Sequence, residues 1–150
     1  MSEGTVIREL NARDRDLYLT MAREFYHSDG VLHPVPDSHL EKTFRELLRS
    51  QTYLRCFFLE KDGVAGGFAL LAFTFSQEAG GFVVWLEELY VREAFRGQGL
   101  ASSFLSFMKS EIPAARYRLE IEPSNDGARR LYERHGFSSL AYQQMVLENN

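Results

Sequence analysis

The sequence predicts an α/β fold, a mixed sheet with helices on both faces. Three observations lead there. Short apolar runs rich in aromatic residues recur between longer stretches of helical period. An Asp-Gly pair, Asp62-Gly63, joins two of those runs as a tight hairpin. A strong strand, Phe82 to Val91, runs through two glycines, Gly97 and Gly99, straight into a helix.

The elements follow in order. Val6 to Leu10 reads as a first strand. Asn11 or Asp14 caps a helix running to about Tyr26, with Leu17, Met21 and Phe25 at helical spacing. His27 to Pro36 is a loop, broken by Gly30, Pro34 and Pro36. Asp37 or Ser38 caps a second helix with Leu40, Phe44, Leu47 and Leu48 on one face. Tyr53 to Glu60 and Val64 to Phe75 form the hairpin, with a bulge at Gly66-Gly67. A turn at Gln77 to Gly81 leads to the Phe82–Val91 strand, then to a helix from about Leu100 to Glu111, which Pro113 ends. Tyr117 to Ile121 is a further strand. A helix from Pro123-Ser124-Asn125-Asp126 to about Arg134 stops at Gly136. Phe137 to Leu140 and Tyr142 to Leu147 read as two last short strands.

Residues 1–150 suit one domain, with 45% hydrophobic and 25% charged residues. A formal charge of -4 argues against a broad nucleic-acid-binding face. Cys56, the only cysteine, forms no internal disulfide and reads as a small buried hydrophobe. No apolar run approaches the roughly 20 residues of a membrane span, and no secretory leader is visible. The expected compartment is the cytoplasm. His27, His33 and His39 lack a compact ligand spacing, so no metal site is expected.

The turn Arg96-Gly97-Gln98-Gly99-Leu100-Ala101-Ser102 carries the chemistry. Free backbone N–H groups and the positive end of a helix dipole converge there, which suits a diphosphate. A P-loop would need Gly-Lys-Ser/Thr at the helix start, and this chain has Gly99-Leu100-Ala101. A dinucleotide fingerprint fails at its third glycine, where Ser102 stands, and too little chain follows for the strands that fold adds.

Arg96-x-x-Gly99-x-Ala101, after a strand ending Leu89-Tyr90-Val91, resembles motif A of the GCN5-related N-acetyltransferases (GNAT). Asn125-x-x-x-Arg129-x-Leu131-Tyr132-x-x-x-Gly136-Phe137 resembles motif B of that family. Order and separation also match, and the likeness covers most of the chain. The resemblance implies a mostly antiparallel mixed sheet in which the Val91-ending strand and the Tyr117–Ile121 strand are parallel and splay apart. It implies acetyl-coenzyme A as the cofactor. Its pantetheine arm would run along Leu89, Tyr90 and Val91. Its diphosphate would lie on the N–H groups of Gly97, Gln98, Gly99, Leu100, Ala101 and Ser102, with charge from Arg96. Asn125, Arg129 and Tyr132 complete the implied cofactor set. Asn125 is equally good as a helix cap.

The implied reaction is direct acetyl transfer to an amine. Tyr132 matches the tyrosine placed near the thioester sulfur, and a backbone N–H of Leu89 to Val91 suits the developing oxyanion. The base is one of three glutamates. Glu88 is favoured, because alternation from Leu89 and Val91 places it with Tyr90 on the opposite face, and places Trp85 and Glu87 with the core residues. The Leu-Glu-Glu-Leu-Tyr-Val segment resembles that of polyamine acetyltransferases, which keeps Glu87 in play. Leu119-Glu120-Ile121 followed by Ser124-Asn125 resembles ribosomal-protein N-terminal acetyltransferases, so Glu120 competes. Glu122 stands where those enzymes usually carry arginine. In such folds the loop between the first two helices commonly walls the acceptor cleft, which brings His33 or Tyr26 within reach of substrate, the alternative for both being plain surface exposure. Thr74 to Glu78 is expected along the same cleft.

The expected activity is N-acetylation of a primary amine on a small molecule. Acetylation of a protein N-terminus or lysine is the catalytic alternative, and a non-catalytic acyl-coenzyme A sensor the other. Nothing in the sequence decides for or against a homodimer, a common state of such folds.

Overall fold

The computed structural model describes residues 3–28, 31 and 33–149. The expected break at Gly30 lies outside the described residues. The chain forms β1 (Thr5–Glu9), α1 (Arg15–Tyr26), α2 (Asp37–Arg49), β2 (Leu54–Lys61), β3 (Val64–Ser76), β4 (Gly81–Val91), α3 (Leu100–Glu111), β5 (Arg116–Leu119) and α4 (Asp126–Arg134). Short 3-10 turns at Ala12–Asp14 and Glu93–Phe95 lead out of β1 and β4.

Among the described residues the sheet has five strands in the order β1-β2-β3-β4-β5. The first four are antiparallel, and β5 runs parallel to β4. The hairpin between β2 and β3 has positive φ at Asp62 (50°) and Gly63 (83°), as a two-residue turn with matching twist requires. The expected bulge sits one residue after Ala65: Glu60 pairs with Ala65 and Leu59 with Gly67, leaving Gly66 over.

Each sheet face carries its own core. On one face α3 lays Leu100, Phe104, Leu105 and Met108 against Phe57, Leu71, Val84 and Leu86, with Leu131 and Tyr132 of α4 at the margin. On the other face α1 and α2 bring Tyr18, Met21, Leu40 and Phe44 onto Phe58, Phe68 and Leu70. Cys56 is buried in this second layer, as its apolar run implies. Among the described residues no helix is long and apolar enough to cross a membrane.

Several expectations need correction. The two last strands do not form: residues 138–149 are exposed and carry no strand. The strand placed at Tyr117–Ile121 instead spans Arg116–Leu119, because β4 stops pairing with it there. Asn11 caps only the 3-10 turn, in a reciprocal box with Asp14, and Asp14 precedes α1 without a cap bond. Its carboxylate is committed to Arg8, which donates at 2.8 and 3.0 Å. Asp37 and Ser38 lie inside α2, whose N-cap position is Pro36. Leu48 falls outside the buried stripe of that helix and is 46% exposed.

Candidate active site

β4 changes character halfway along. Val83 to Leu86 pair in parallel with Arg116 to Leu119, and the ladder then stops. Residues 87–91 stay hydrogen-bonded to β3 but have no strand on their other side among the described residues. The pair therefore splays beyond Leu86 and Leu119.

A β-bulge marks the changeover. Leu71 faces Leu86 and Leu70 faces Glu88, so Glu87 is the extra residue. One extra residue resets the alternation of every side chain before it. Val84 and Leu86 thus join Leu89 and Val91 on the α3 face. The expected placement of Trp85 and Glu87 with the core is wrong for this reason. Trp85 is instead half-buried beneath Arg118, whose guanidinium lies 4.4 Å from the ring centroid. Glu87 is exposed.

Glu88 takes the opposite face with Tyr90, as the alternation from Leu89 implies. The hydroxyl of Tyr26, from the last turn of α1, donates to Glu88 Oε2. Oε1 is buried with no hydrogen-bond partner. Burial drives the carboxyl up to about 7; the Tyr26 bond opposes this and the charge of Glu87 adds to it. Glu87 is also raised, by desolvation and then by the charge of Glu120. All three glutamates thus bear on one region, with only Glu88 sequestered. The end of β4 is tied down beside them: Arg92 donates to Glu24 of α1 at 3.0 and 2.9 Å, and the Tyr90 hydroxyl donates to the same carboxylate at 3.1 Å.

The glycine turn follows directly. Gly97 and Gly99 adopt φ of 76° and 81°, a region costly for any residue with a Cβ. A Cβ on Gly97 would meet nothing within 4 Å, so the turn opens outward. The first backbone bond into α3 runs from Ser103 N–H to Gly99 O, and among the described residues the N–H groups of Gly97 to Ser102 meet no backbone acceptor outside that helix. No side chain caps the helix at Gly99. Such a cradle fits an anion. Arg96 is exposed and donates to Val91 O at 3.2 Å. Gln98 is held by a bond to Ala94 O at 3.3 Å.

The α4 residues stand across from β5. Asn125 caps α4, its side-chain oxygen accepting from Ala128 N–H at 3.1 Å, which leaves its amide NH2 to donate. Tyr132 packs edge-on against Phe137, and burial pushes its hydroxyl up to about 12. Arg129, Tyr132 and Glu120 line a common cavity of roughly 670 Å3 along β5. Neither the glycine turn nor Glu88 borders that cavity.

Two residues not singled out as site members join it. Tyr26 was expected near the cleft but not on Glu88. His135 links α3 to α4. Lys109 Nζ donates to His135 Nδ1 at 3.2 Å, so Nε2 carries the proton toward Ser102 Oγ at 2.7 Å. Burial, then the charges of Lys109 and Arg134, hold His135 below its usual value. Neither contact has a local sequence signal, since 62 and 33 residues separate the partners. Thr74 to Glu78 do not line the cleft. Glu78 accepts from Arg116 at 2.8 Å, at the closed end of the strand pair. His27, His33 and His39 are all exposed.

The fold is shared with solved structures. A possible acetyltransferase from Clostridium difficile 630 superposes with a TM-score of 0.81 at 18% identity, covering 99% of both chains. Aminoglycoside N-acetyltransferase AAC(6')-Iy, in complex with a bisubstrate analogue of coenzyme A, gives 0.79 at 19%, covering 97% of this chain and 99% of that one. A ribosomal-protein-alanine N-acetyltransferase from Brucella melitensis biovar Abortus 2308 gives 0.73 at 19%, covering 97% and 99%. No curated protein matches the chain significantly. The sequence profile of the Acetyltransferase (GNAT) family matches residues 15–137, a span that takes in the glycine turn, the bulged strand and α4. The chain belongs to that family.

Proposed function

We propose that this protein transfers an acetyl group from acetyl-coenzyme A to a primary amine of a small molecule, in the cytoplasm. The observation that carries the reading is the splay of β4 from β5 beside a turn of unpaired N–H groups. When bound, acetyl-coenzyme A supplies an activated thioester acetyl group. Gly97 to Ser102 would hold its diphosphate, the free side of Leu89 to Val91 its pantetheine amides, and Asn125 Nδ2 and Arg129 the α4 side. The GNAT structures solved with coenzyme A or a bisubstrate analogue support this assignment.

The chain's own groups divide the proton work. An alkylammonium near pKa 10 by analogy with lysine must lose a proton before it attacks. Glu88 accepts it, directly or through water. Its pKa of about 7 matches proton transfer at neutral pH, and its partnerless Oε1 offers the lone pair. Glu87 and Glu120 attract the cationic acceptor at the mouth of the splay. Tyr132 stays protonated at every physiological pH and donates to the departing sulfur. Neighbours of this fold include both an aminoglycoside and a ribosomal-protein-alanine acetyltransferase at 19% identity, and the acidic mouth at Glu87 and Glu120 is what inclines the reading to a small cationic amine.

Thiol release from acetyl-coenzyme A across a panel of polyamines, amino acids and aminoglycosides tests this. Turnover that collapses in Tyr132→Phe with cofactor binding intact is expected. Tight coenzyme A binding without turnover on any amine would make the protein a sensor. Turnover on N-terminal peptides alone would move the acceptor to protein.

A further inference from the structure

The sheet face away from α3 carries a gradient of charge along β4 and β5. Tyr117 and Leu119 pack toward α3, so Arg116 and Arg118 take the opposite face by alternation. Glu120 follows them just past β5, and its charge bears on Glu87. On β4, Trp85 stands opposite Arg118 in the ladder, with Glu87 and Glu88 beyond it. The end at which the two strands pair is therefore cationic, and the end at which they splay is anionic. The helix layer on this face takes in Phe58, Phe68, Leu70 and Tyr90 but neither Trp85 nor Arg118.

The two arginines differ. Arg116 donates to Glu78 at 2.8 Å, and that carboxylate also accepts from the Tyr142 hydroxyl at 2.8 Å. Arg118 makes no ion pair among the described residues and acts on Glu78 only through space. Its guanidinium lies 4.4 Å from the Trp85 ring centroid. Stacking uses the flat face of a guanidinium and leaves its N–H edge to donate. That edge matches the two oxygens of a carboxylate. Arg118 is half-buried and borders the cavity of roughly 670 Å3 along β5, so an anion reaches it from solvent.

We propose that the amine taken by this protein also carries a carboxylate, held by Arg118 on its Trp85 platform while the ammonium lies among the glutamates. The inference rests on acetyl transfer with Glu88 receiving the amine proton. Trp85 and Glu88 are three residues apart on one strand, roughly 10 Å at the ordinary rise. The amine thus stands several carbons from the carboxylate, as in an ω-amino acid. A plain monoamine leaves the guanidinium edge without a partner. A polyamine sets a second cation against it.

Acetylation of 4-aminobutanoate and 6-aminohexanoate, compared with butylamine and hexylamine, tests this. The amino carboxylates are expected to be preferred in kcat/KM by at least about tenfold, through KM. Arg118→Gln brings the ratio to within about twofold, and Arg118→Lys, which keeps the charge without the fork, lies between. Trp85 is the only tryptophan, so its emission reports on the anion site without turnover. With coenzyme A present, 6-aminohexanoate changes that emission saturably, at concentrations about tenfold below any effect of hexylamine. Equal or better turnover of the plain amines overturns the proposal and leaves acetyl transfer standing. A preference that survives in Arg118→Gln overturns it too. A saturable emission change with no acetylation of any amine supports the anion site and overturns the reaction. Neither emission change nor turnover overturns both.

Discussion

The two halves of β4 are built for different tasks. Val83, Val84 and Leu86 are 2%, 1% and 5% exposed, with a strand on either side. Among the described residues, residues 87–91 have a strand on one side only, and they carry two adjacent glutamates, one exposed and one sequestered with an orphaned oxygen. The switch is a single bulged residue, Glu87. The inner half shows what a central strand needs, apolar side chains and a ladder on both edges. The outer half shows what a site needs, an open edge and polar groups held by neighbours. A bulge is the smallest change of backbone that separates them.

The largest way to break this contrast is at the turn that follows the outer half. Gly99→Glu puts a carboxylate into the amide cradle and a Cβ at φ of 81°. Coenzyme A affinity is expected to fall by more than about 100-fold, since like charges forced together cost several kcal/mol. Calorimetric titration reads this, and unchanged affinity would remove the turn from the cofactor site.

Glu88→Gln tests the outer half itself. Turnover at pH 7 is expected to drop by about 100-fold. The wild-type rate rises with pH as Glu88 ionises around 7, and the variant loses that limb. Its deficit shrinks at high pH, where the amine is already free. The same variant should be more stable than the wild type above neutrality. The unfolded carboxyl ionises near its ordinary value of 4.5, while the folded one resists until about 7. Wild-type stability therefore falls as pH rises between those values, by on the order of 3 kcal/mol in full. Thermal melts at pH 4 and pH 8 should show equal stability at the first and a gap at the second.

Val84→Ala probes the inner half. It should cost about 2 kcal/mol of stability, with kcat/KM unchanged, because the side chain only fills the α3 core. A loss of kcat/KM would mean that the halves are not separate. Tyr26→Phe has the smallest effect. It removes the bond that lowers the Glu88 pKa, so the acid limb of the pH profile should move up by about one unit.

Much of this contrast was legible in the sequence. The strand, the glycine turn and α3 follow from local signals: an apolar run, two residues that tolerate positive φ, and a helical period ended by Pro113. The placement of Glu88 opposite Leu89 and Val91 also needed only alternation. The bulge at Glu87 was not legible, since it depends on which β3 residue faces which β4 residue, and so Trp85 was assigned to the wrong face. The Tyr26–Glu88 and Ser102–His135 contacts join distant parts of the chain and leave no local pattern. The last two strands fail for a related reason. Tyr142 to Leu147 has strand composition, but a strand forms only where an edge receives it.

Backbone amide chemical shifts during a coenzyme A titration test the central claim most directly, that the outer half of β4 and the glycine turn form one cofactor cleft. The amides of Leu89 to Val91 and of Gly97 to Ser102 should move together and saturate with one affinity, while those of Val83 to Leu86 stay in place. Shifts confined to other regions, or an equal response to NAD, would contradict it.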